Sequence, residues 1–465
     1  MENWGSNTNN FPYQKDTFSM RQSCHSLDAL DVTFDDEHAV ANAGLIAPAT
    51  LAQHLGLKDL FDEYVDLGDS PGRANVGLKA MTLIHSALAG GDCIDDTDRM
   101  RVASTADVLG HDVRAPSTLG TFLRSFTWGH AAQLDRVLDE AICRAWAAGA
   151  GPGDGPVTID VDSTIAETYG LAKQGARFGH TKVRGYHPLL ATIAGTEEVV
   201  GARLRGGNAH TARGAAGFLT QVFNRVRRAG ATAEITLRAD SGYYNRNVTG
   251  AARQAGVSYS ITAKMSVAIH KAISEIPEAD WTPIPYWMEG GADVAETTYR
   301  PFSKRHPEVR LIVRRVKPTP GSQLALLATY DYHAAITDRS GETVYLEADH
   351  RRHAVVEDVI RDLKYGVGLN HMVSGRFGAN AAWMLLNVIA HNLSRWTPSI
   401  GLGASAPAMT TKTLRTRFLD VPGRLTTSAR RWTLHLPESW PWQDQFDTML
   451  SNLRAVELPV VTLRR

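Results

Sequence analysis

The eight residues GAGPGDGP, Gly149 to Pro156, separate two kinds of hydrophobic pattern, and that change limits the fold more than any other feature of the chain. Before it, GLIAPATLAQHLGLKDLFDEYV, NVGLKAMTLIHSALAGG and PSTLGTFLRSFTWGHAAQLDRVLDEAICRAWAA place apolar residues at three- and four-residue intervals, which predicts helices. After it, VTIDVD, HPLLATIA and VVGARLR read as three successive strands. AAGFLTQVFNRVRRAGA then reads as a helix, AEITLRAD as a strand, NRNVTGAARQAG as a helix and VSYSITAK as a strand. Three strands able to form a meander, followed by alternating helix and strand, predict an α/β fold with a mixed sheet and flanking helices.

Between Lys264 and Glu347 the runs AETTYRP, VRLIVRRVK and LALLATYDY lie between Pro- and Gly-bearing turns, so an inserted all-β domain is expected there. Helix returns in HAVVEDVIRDLKYG and in the apolar ANAAWMLLNVIAHNLSRW, which is expected to be buried. The expected organisation is a flexible polar terminus over residues 1–30 and a helical N-terminal domain over 31–150. An α/β domain follows in two pieces, 151–264 and 348–400, around a β-rich insertion at 265–347, and a basic C-terminal region spans 401–465.

A net charge of zero hides an asymmetry: residues 1–100 hold 16 acidic and 6 basic residues, and the rest hold 33 and 43. That second part suits a polyanionic partner. No segment approaches the roughly 18 apolar residues of a membrane span, and the first residues lack an apolar signal core, so no membrane and a cytoplasmic location are expected. Cys24, Cys93 and Cys143 are odd in number and form no CxxC pair, which argues against a disulfide framework or a zinc knuckle.

The chemistry lies in carboxylates. In VTIDVDST, Val157 to Thr164, Asp160 and Asp162 fall two residues apart on one strand and share a face. LRADSGYYN puts Asp240 at a second strand end, and HAVVEDVIRDLKYG puts Glu357 on a helix whose apolar stripe is Val356, Ile360 and Leu363. Two strand-end aspartates and a helix glutamate suit two hard divalent cations, Mg²⁺ or Mn²⁺. Such a pair of ions stabilises the attacking and leaving oxygens of a phosphodiester, so nuclease chemistry becomes a concrete option. Each residue also has an ordinary use: strand-end aspartates cap turns, and Glu357 can pair with Arg361 at i+4.

The order strand Asp, strand Asp, β-rich insertion, helix Glu resembles the catalytic domain of DDE transposases of bacterial insertion sequences, which has a ribonuclease-H-like fold. HRRHAVVEDVIRDLKYGVGLNHMVSGRFGANAAWMLLNVIAHNLSRW and GRLTTSARRWTLHLPESWPW look most like the insertion-sequence 1380 family, and the likeness runs from about Asp28 to Trp442. The resemblance implies a cut-and-paste enzyme whose catalytic, metal-binding triad is Asp162, Asp240 and Glu357. It would cleave double-stranded DNA at transposon terminal inverted repeats and join the freed 3′ ends to target DNA. Pairing two ends implies a homodimer. In related families an Arg and a Tyr stand four and seven positions before the glutamate; here those places hold His353 and His350, while Lys364 matches a family lysine seven positions after. The resemblance therefore assigns phosphate contacts to Lys364 and, around the altered turn, to Arg351, Arg352 and His353.

Further DNA contacts are expected in KTLRTRFLDVPGRLTTSARRW, where Arg415, Arg417, Arg430 and Arg431 are among six cations facing the single acid Asp420. In the β-rich block, Arg310, Arg314, Arg315 and Lys317 with Trp281 and Trp287 suggest a stacking surface, and RAPSTLGTFLRSF suggests the entry to a recognition helix capped by Ser117 or Thr118. Two rival readings stand. IDVDST fits the motif of haloacid-dehalogenase-type phosphatases, with Asp160 as covalent nucleophile, Asp162 as acid/base and Asp240 as a Mg²⁺ ligand. The other is a DNA-binding protein that has lost catalysis.

Overall fold

The structure is a computed structural model that describes residues 27–69, 72–179, 181–318, 330–403 and 406–458. One compact unit ends at Glu37, and its described part holds the short 3₁₀ turn Leu27–Ala29; the other runs from His38 onward. The flexible segment expected over residues 1–30 lies outside the described residues up to residue 26.

In the larger unit, β-branched and aliphatic runs form nine strands of one sheet among the described residues. They are β1 Val157–Ser163, β2 Leu189–Ile193, β3 Val199–Arg203, β4 Ile235–Ala239, β5 Ser258–Thr262, β6 Thr282–Ile284, β7 Ala292–Tyr299, β8 Val309–Val316 and β9 Asp331–Thr337. The order is β6-β7-β8-β9-β5-β4-β1-β2-β3. β1, β4 and β5 run parallel, and every other pairing is antiparallel. β1, β2 and β3 make the expected meander, with a register shift between Ala191 and Thr192.

The block expected as a separate all-β insertion instead extends this sheet. Ala335, Ile336 and Thr337 of β9 pair with Thr262, Ile261 and Ser260 of β5. A strand edge left open at β5 would expose unpaired backbone, and β9 covers it with the buried run Ala334 to Thr337. The block also contains a helix, Val267–Ser274, and part of LALLATYDY falls at residues 319–329, outside the described residues.

Seven helices matter to the site: α1 Val76–Leu88, α2 Pro116–Arg124, α3 Trp128–Ala147, α4 Ala215–Arg228, α5 Arg246–Gln254, α6 Val355–Gly366 and α7 Phe377–Leu402. α4 and α5 are the crossovers that make β4 and β5 parallel to β1. α2 starts at Pro116 with Ala115 as N-cap, so Ser117 and Thr118 lie inside its first turn rather than capping it. Proline at the first helical position lacks only an N–H that the helix leaves unused. α7 is buried along nearly its whole length and packs against α1, α2, α3 and β3. Its Asn392 accepts from Val199 N at 2.8 Å and donates to Val199 O at 2.9 Å, satisfying the outer edge of β3. One hydrophobic cluster runs from Leu45 through the sheet to Leu453. Near the C-terminus, β10 Gly423–Ser428 and β11 Arg431–His435 form a hairpin whose first strand pairs with Ala39–Val40. No helix among the described residues is long and apolar enough to cross a membrane.

Candidate active site

The register of β1 against β4 sets the site. Val161 pairs with Ala239 in parallel alignment, so the next residues, Asp162 and Asp240, sit side by side where both strands end. Adjacent strands lie about 4.8 Å apart, and registered residues of a parallel pair point to the same face. The carboxyl ends of parallel strands are where open α/β sheets bind ligands. Asp162 Oδ1 accepts from Ser163 N at 2.6 Å, and Asp240 Oδ1 accepts from Gly242 N at 3.0 Å, so each also caps its own turn. Glu357 comes from the first turn of α6, which packs against β1.

Burial pushes the Asp162 carboxyl up, and the negative charges of Asp240 and Glu357 add to it, despite the Ser163 amide and the nearby His353; the result is a value of about 6. Asp162 therefore feels both of the other carboxylates. Arg361 does not neutralise Glu357: it pairs with Asp358 at 2.5 Å. Among the described residues, the carboxylate and thiol groups with ligand atoms all within 4.8 Å of one another are those of Asp92, Cys93 and Asp96, around a turn in which Asp96 accepts from Asp92 N, Cys93 N and Cys93 Sγ. The triad is more widely spread. Asp162, Asp240 and Glu357 are the residues that would hold divalent cations here, bridged by the metal rather than by hydrogen bonds to one another. Among the described residues no lysine or arginine forms an ion pair with these three carboxylates, and such hard oxygen donors fit divalent cations.

Asp160, two residues before Asp162 on the same strand face, is unavailable for chemistry. It is buried, and Arg238, its registered neighbour on β4, donates to both oxygens at 2.8 Å. His353 Nδ1 lies 2.9 Å from Asp160 Oδ1. Burial pushes this carboxyl up, but His353 and Arg238 outweigh it and hold it below the usual range. A nucleophile needs a free oxygen, and Asp160 has both engaged. Arg238 continues the network by donating to Asp349 O at 2.6 Å.

His350 and His353, seven and four positions before Glu357, both turn inward. His350 places Nδ1 2.9 Å from Ser260 Oγ and Nε2 2.9 Å from Thr262 Oγ1, joining two hydroxyls of β5. Burial lowers its pKa to about 3, so the ring is neutral. The two histidines thus fasten the turn before Glu357 to strands β5 and β1. The sequence hinted at this only through the spacing of Ser260 and Thr262, two residues apart on one strand face.

The expected DNA contacts divide. Lys364 stands seven residues, about 10 Å, along α6 from Glu357. It has no ion-pair partner among the described residues, and burial lowers its pKa. It lines a cleft of about 450 Å³ with Lys173, Tyr169, Asn370 and His371. Arg352, Arg417, Arg430 and Arg431 are exposed. Arg351 is held by Glu347 at 3.0 Å, beside a cavity of about 260 Å³ that Glu357 also lines. Arg415 differs from expectation: its guanidinium donates to Leu88 O at 2.8 Å, Ala87 O at 3.1 Å and Gly366 O at 2.6 Å, satisfying the last carbonyls of α1 and α6. In the β-rich block, Arg315 is engaged by Asp293 and Glu278, while Trp287 is exposed.

A large mixed sheet with carboxylates gathered at the ends of its parallel strands, and a third supplied by a helix, defines an α/β protein with an acidic strand-end centre. The sequence matches the family model Transposase DDE domain group 1 over residues 22–458, and the chain belongs to that family; it is a DNA-transposing enzyme. No curated protein matches it. A similar solved structure is described as a cryo-EM structure of piggyBac transposase synaptic complex with hairpin DNA, at 11% identity, covering 92% of this chain and 84% of that chain, with a TM-score of 0.42.

Proposed function

We propose that this transposase uses Asp162, Asp240 and Glu357 to hold two divalent cations, Mg²⁺ or Mn²⁺, and to cut and paste DNA as an insertion-sequence enzyme on a ribonuclease-H-like sheet. The observation that carries the reading is the convergence of three charges from distant segments: the Asp162 carboxyl is raised to about 6, in part by Asp240 and Glu357. Bound there, the cations supply Lewis-acid charge to the attacking and leaving oxygens of a phosphodiester. The chain's own contribution is positioning. β1 and β4 fix the two aspartates in register, and His350 and His353 fasten the turn that presents Glu357. Lys364, farther along α6, offers a cation to a phosphate next to the one cleaved. Arg352, Arg417, Arg430 and Arg431 supply cationic contacts to double-stranded DNA, the transposon ends and the target, and two subunits pair the two ends.

The test is nicking of duplex DNA carrying the element's ends, with and without Mg²⁺. Cleavage is expected to need the cation and to fall at least about a thousandfold in Glu357→Gln while DNA binding survives. Persistent binding by the wild-type chain, with no nicking under Mg²⁺ or Mn²⁺, would establish the inactive DNA-binding alternative instead. The phosphatase alternative is opposed by the bidentate engagement of Asp160.

A further inference from the structure

The hairpin β10–β11 is built unlike the rest of the fold. From Gly423 to His435 the sequence contains Arg424, Arg430, Arg431 and His435 and no acid. Leu425 is buried at its root, against Val40, Ala43 and Val421, but every residue from Thr427 to Thr433 is exposed. The distal ribbon therefore has no core on either face, including Trp432, which is 61% exposed. The cross-strand register is Thr426 with Thr433, Thr427 with Trp432 and Ser428 with Arg431. One face thus presents Thr426, Ser428, Arg431, Thr433 and His435, an array of hydroxyls with one guanidinium and one imidazole. Thr426 and His435 are linked across it at 2.9 Å.

The turn adds a second observation. Ser428 and Arg431 close a two-residue loop in which Ala429 has φ 48° and Arg430 has φ 65°. Both are left-handed, the geometry that favours Asn-Gly in such hairpins. Alanine and arginine hold it under strain, at a tip that no packing constrains. Strain retained where the core does not need it points to a use for the side chain it aims.

We propose that this ribbon enters the major groove of duplex DNA, with Arg430 at the tip and Arg431 on the hydroxyl face meeting phosphates and base edges. A two-stranded ribbon fits a groove about 12 Å wide and about 8.5 Å deep. The exposed distal part, two residues on β10 and three on β11 at about 3.3 Å each, gives a reach of about 7–10 Å, comparable with that depth. Charge complementarity selects the occupant, because an acid-free ribbon tipped with two adjacent arginines meets a polyanion without opposing charge. The inference rests on the transposase reading only for DNA being the polyanion at hand, and it does not require the metal site.

The experiment uses the full chain and a mixed-sequence 30-base-pair duplex, with binding followed by anisotropy across a salt series and groove contact by dimethyl sulfate protection of guanine N7. Arg430→Ala/Arg431→Ala is expected to weaken binding about tenfold or more and to make the log–log salt slope shallower by about 1.8. Ala429→Asn/Arg430→Gly separates folding from contact: it relaxes the turn, so melting temperature holds or rises, yet the slope still falls by about 0.9 and N7 protection is lost. Wild-type affinity and slope in either variant, or no N7 protection in the wild type, overturns the proposal and leaves the arginines as edge charges that keep β11 from pairing. The Glu357→Gln chain is measured in parallel. Failure of the wild type to nick under Mg²⁺, or undiminished nicking by Glu357→Gln, with the ribbon effect intact removes the catalytic reading alone, and the reverse removes only this one.

Discussion

Burial and the charges of Asp240 and Glu357 raise the Asp162 carboxyl to about 6, so its ionised form is a cost that the folded chain carries at neutral pH. Because the folded value lies above the unfolded 3.8, this group's contribution to stability is complete below about pH 3.8 and is lost as pH rises through 6. Divalent cations held there, as proposed above, would relieve the same repulsion. Two outcomes follow for Asp162→Asn. Without added cation its melting temperature at pH 7.5 is expected to exceed that of the wild type, by about 1–3 kcal/mol of stability, and the cation-induced rise is expected to vanish. The wild type, at about a hundred times the cation's Kd, gains about 2.7 kcal/mol, and gains less at pH 5, where protons compete for the carboxylate. Scanning calorimetry with and without Mg²⁺ at the two pH values reads both. A variant less stable than wild type in cation-free buffer at pH 7.5 would contradict the like-charge account.

At the scale of elements, α6 carries Glu357 at one end and is anchored at the other by Asp362. That carboxylate accepts from Thr411 N at 3.0 and 3.1 Å, from Thr411 Oγ1 at 2.7 Å and from Arg395 at 3.1 Å, with the His391 ring 3.3 Å away. Burial pushes its pKa up, but His391, Arg395 and Thr411 outweigh it and bring it to about 2. The folded value lies below the unfolded 3.8, so the stabilisation is present above pH 3.8 and disappears as pH falls through 2. Asp362→Asn is expected to cost about 3 kcal/mol at neutral pH, by leaving Arg395 facing an uncharged amide in the interior, and to flatten the stability curve between pH 4 and 2. Urea melts across that range measure it, and an unchanged slope would show that the anchor is not electrostatic. The same helix shows what the sequence made legible. Val356, Ile360 and Leu363 announced its buried stripe, and the β-branched run before Asp160 announced β1, because periodicity is local information. The use of Asp160 by Arg238 was hidden, since it depends on the register of two strands 78 residues apart. The inward turn of His350, the inward turn of Arg415 and the pairing of β9 with β5 were hidden for the same reason: each partner is chosen by tertiary packing, which spacing along the chain does not encode.

Across the whole molecule, the helices before Gly149 and the sheet after it share a core, although their sequence patterns change so sharply at that linker. α7 supplies most of the join, packing on α1, α2 and α3 with one side and on β3 with another. A buried polar tie reinforces it: Glu198 accepts from Trp146 Nε1 of α3 and from Trp396 Nε1 of α7, each at 2.8 Å, and burial raises its carboxyl to about 7 against the pull of those donors. Leu83, Ile84, Phe122, Leu138 and Ile142 all belong to the cluster that also holds Ile159, Leu237 and Leu393. The apolar faces of the first helices are therefore completed by the sheet and by α7, whose Leu393 lies more than 200 positions later, and a segment lacking them leaves those faces in water. Residues 38–150 expressed alone are expected to retain helical far-UV circular dichroism while losing near-UV signal and binding a hydrophobic dye. The intact chain from His38 is expected to lose both signals in one coincident denaturant transition. Separate transitions in the intact chain, or a well-packed isolated segment, would mean that the helical part folds as a module of its own and that α7 only leans on it.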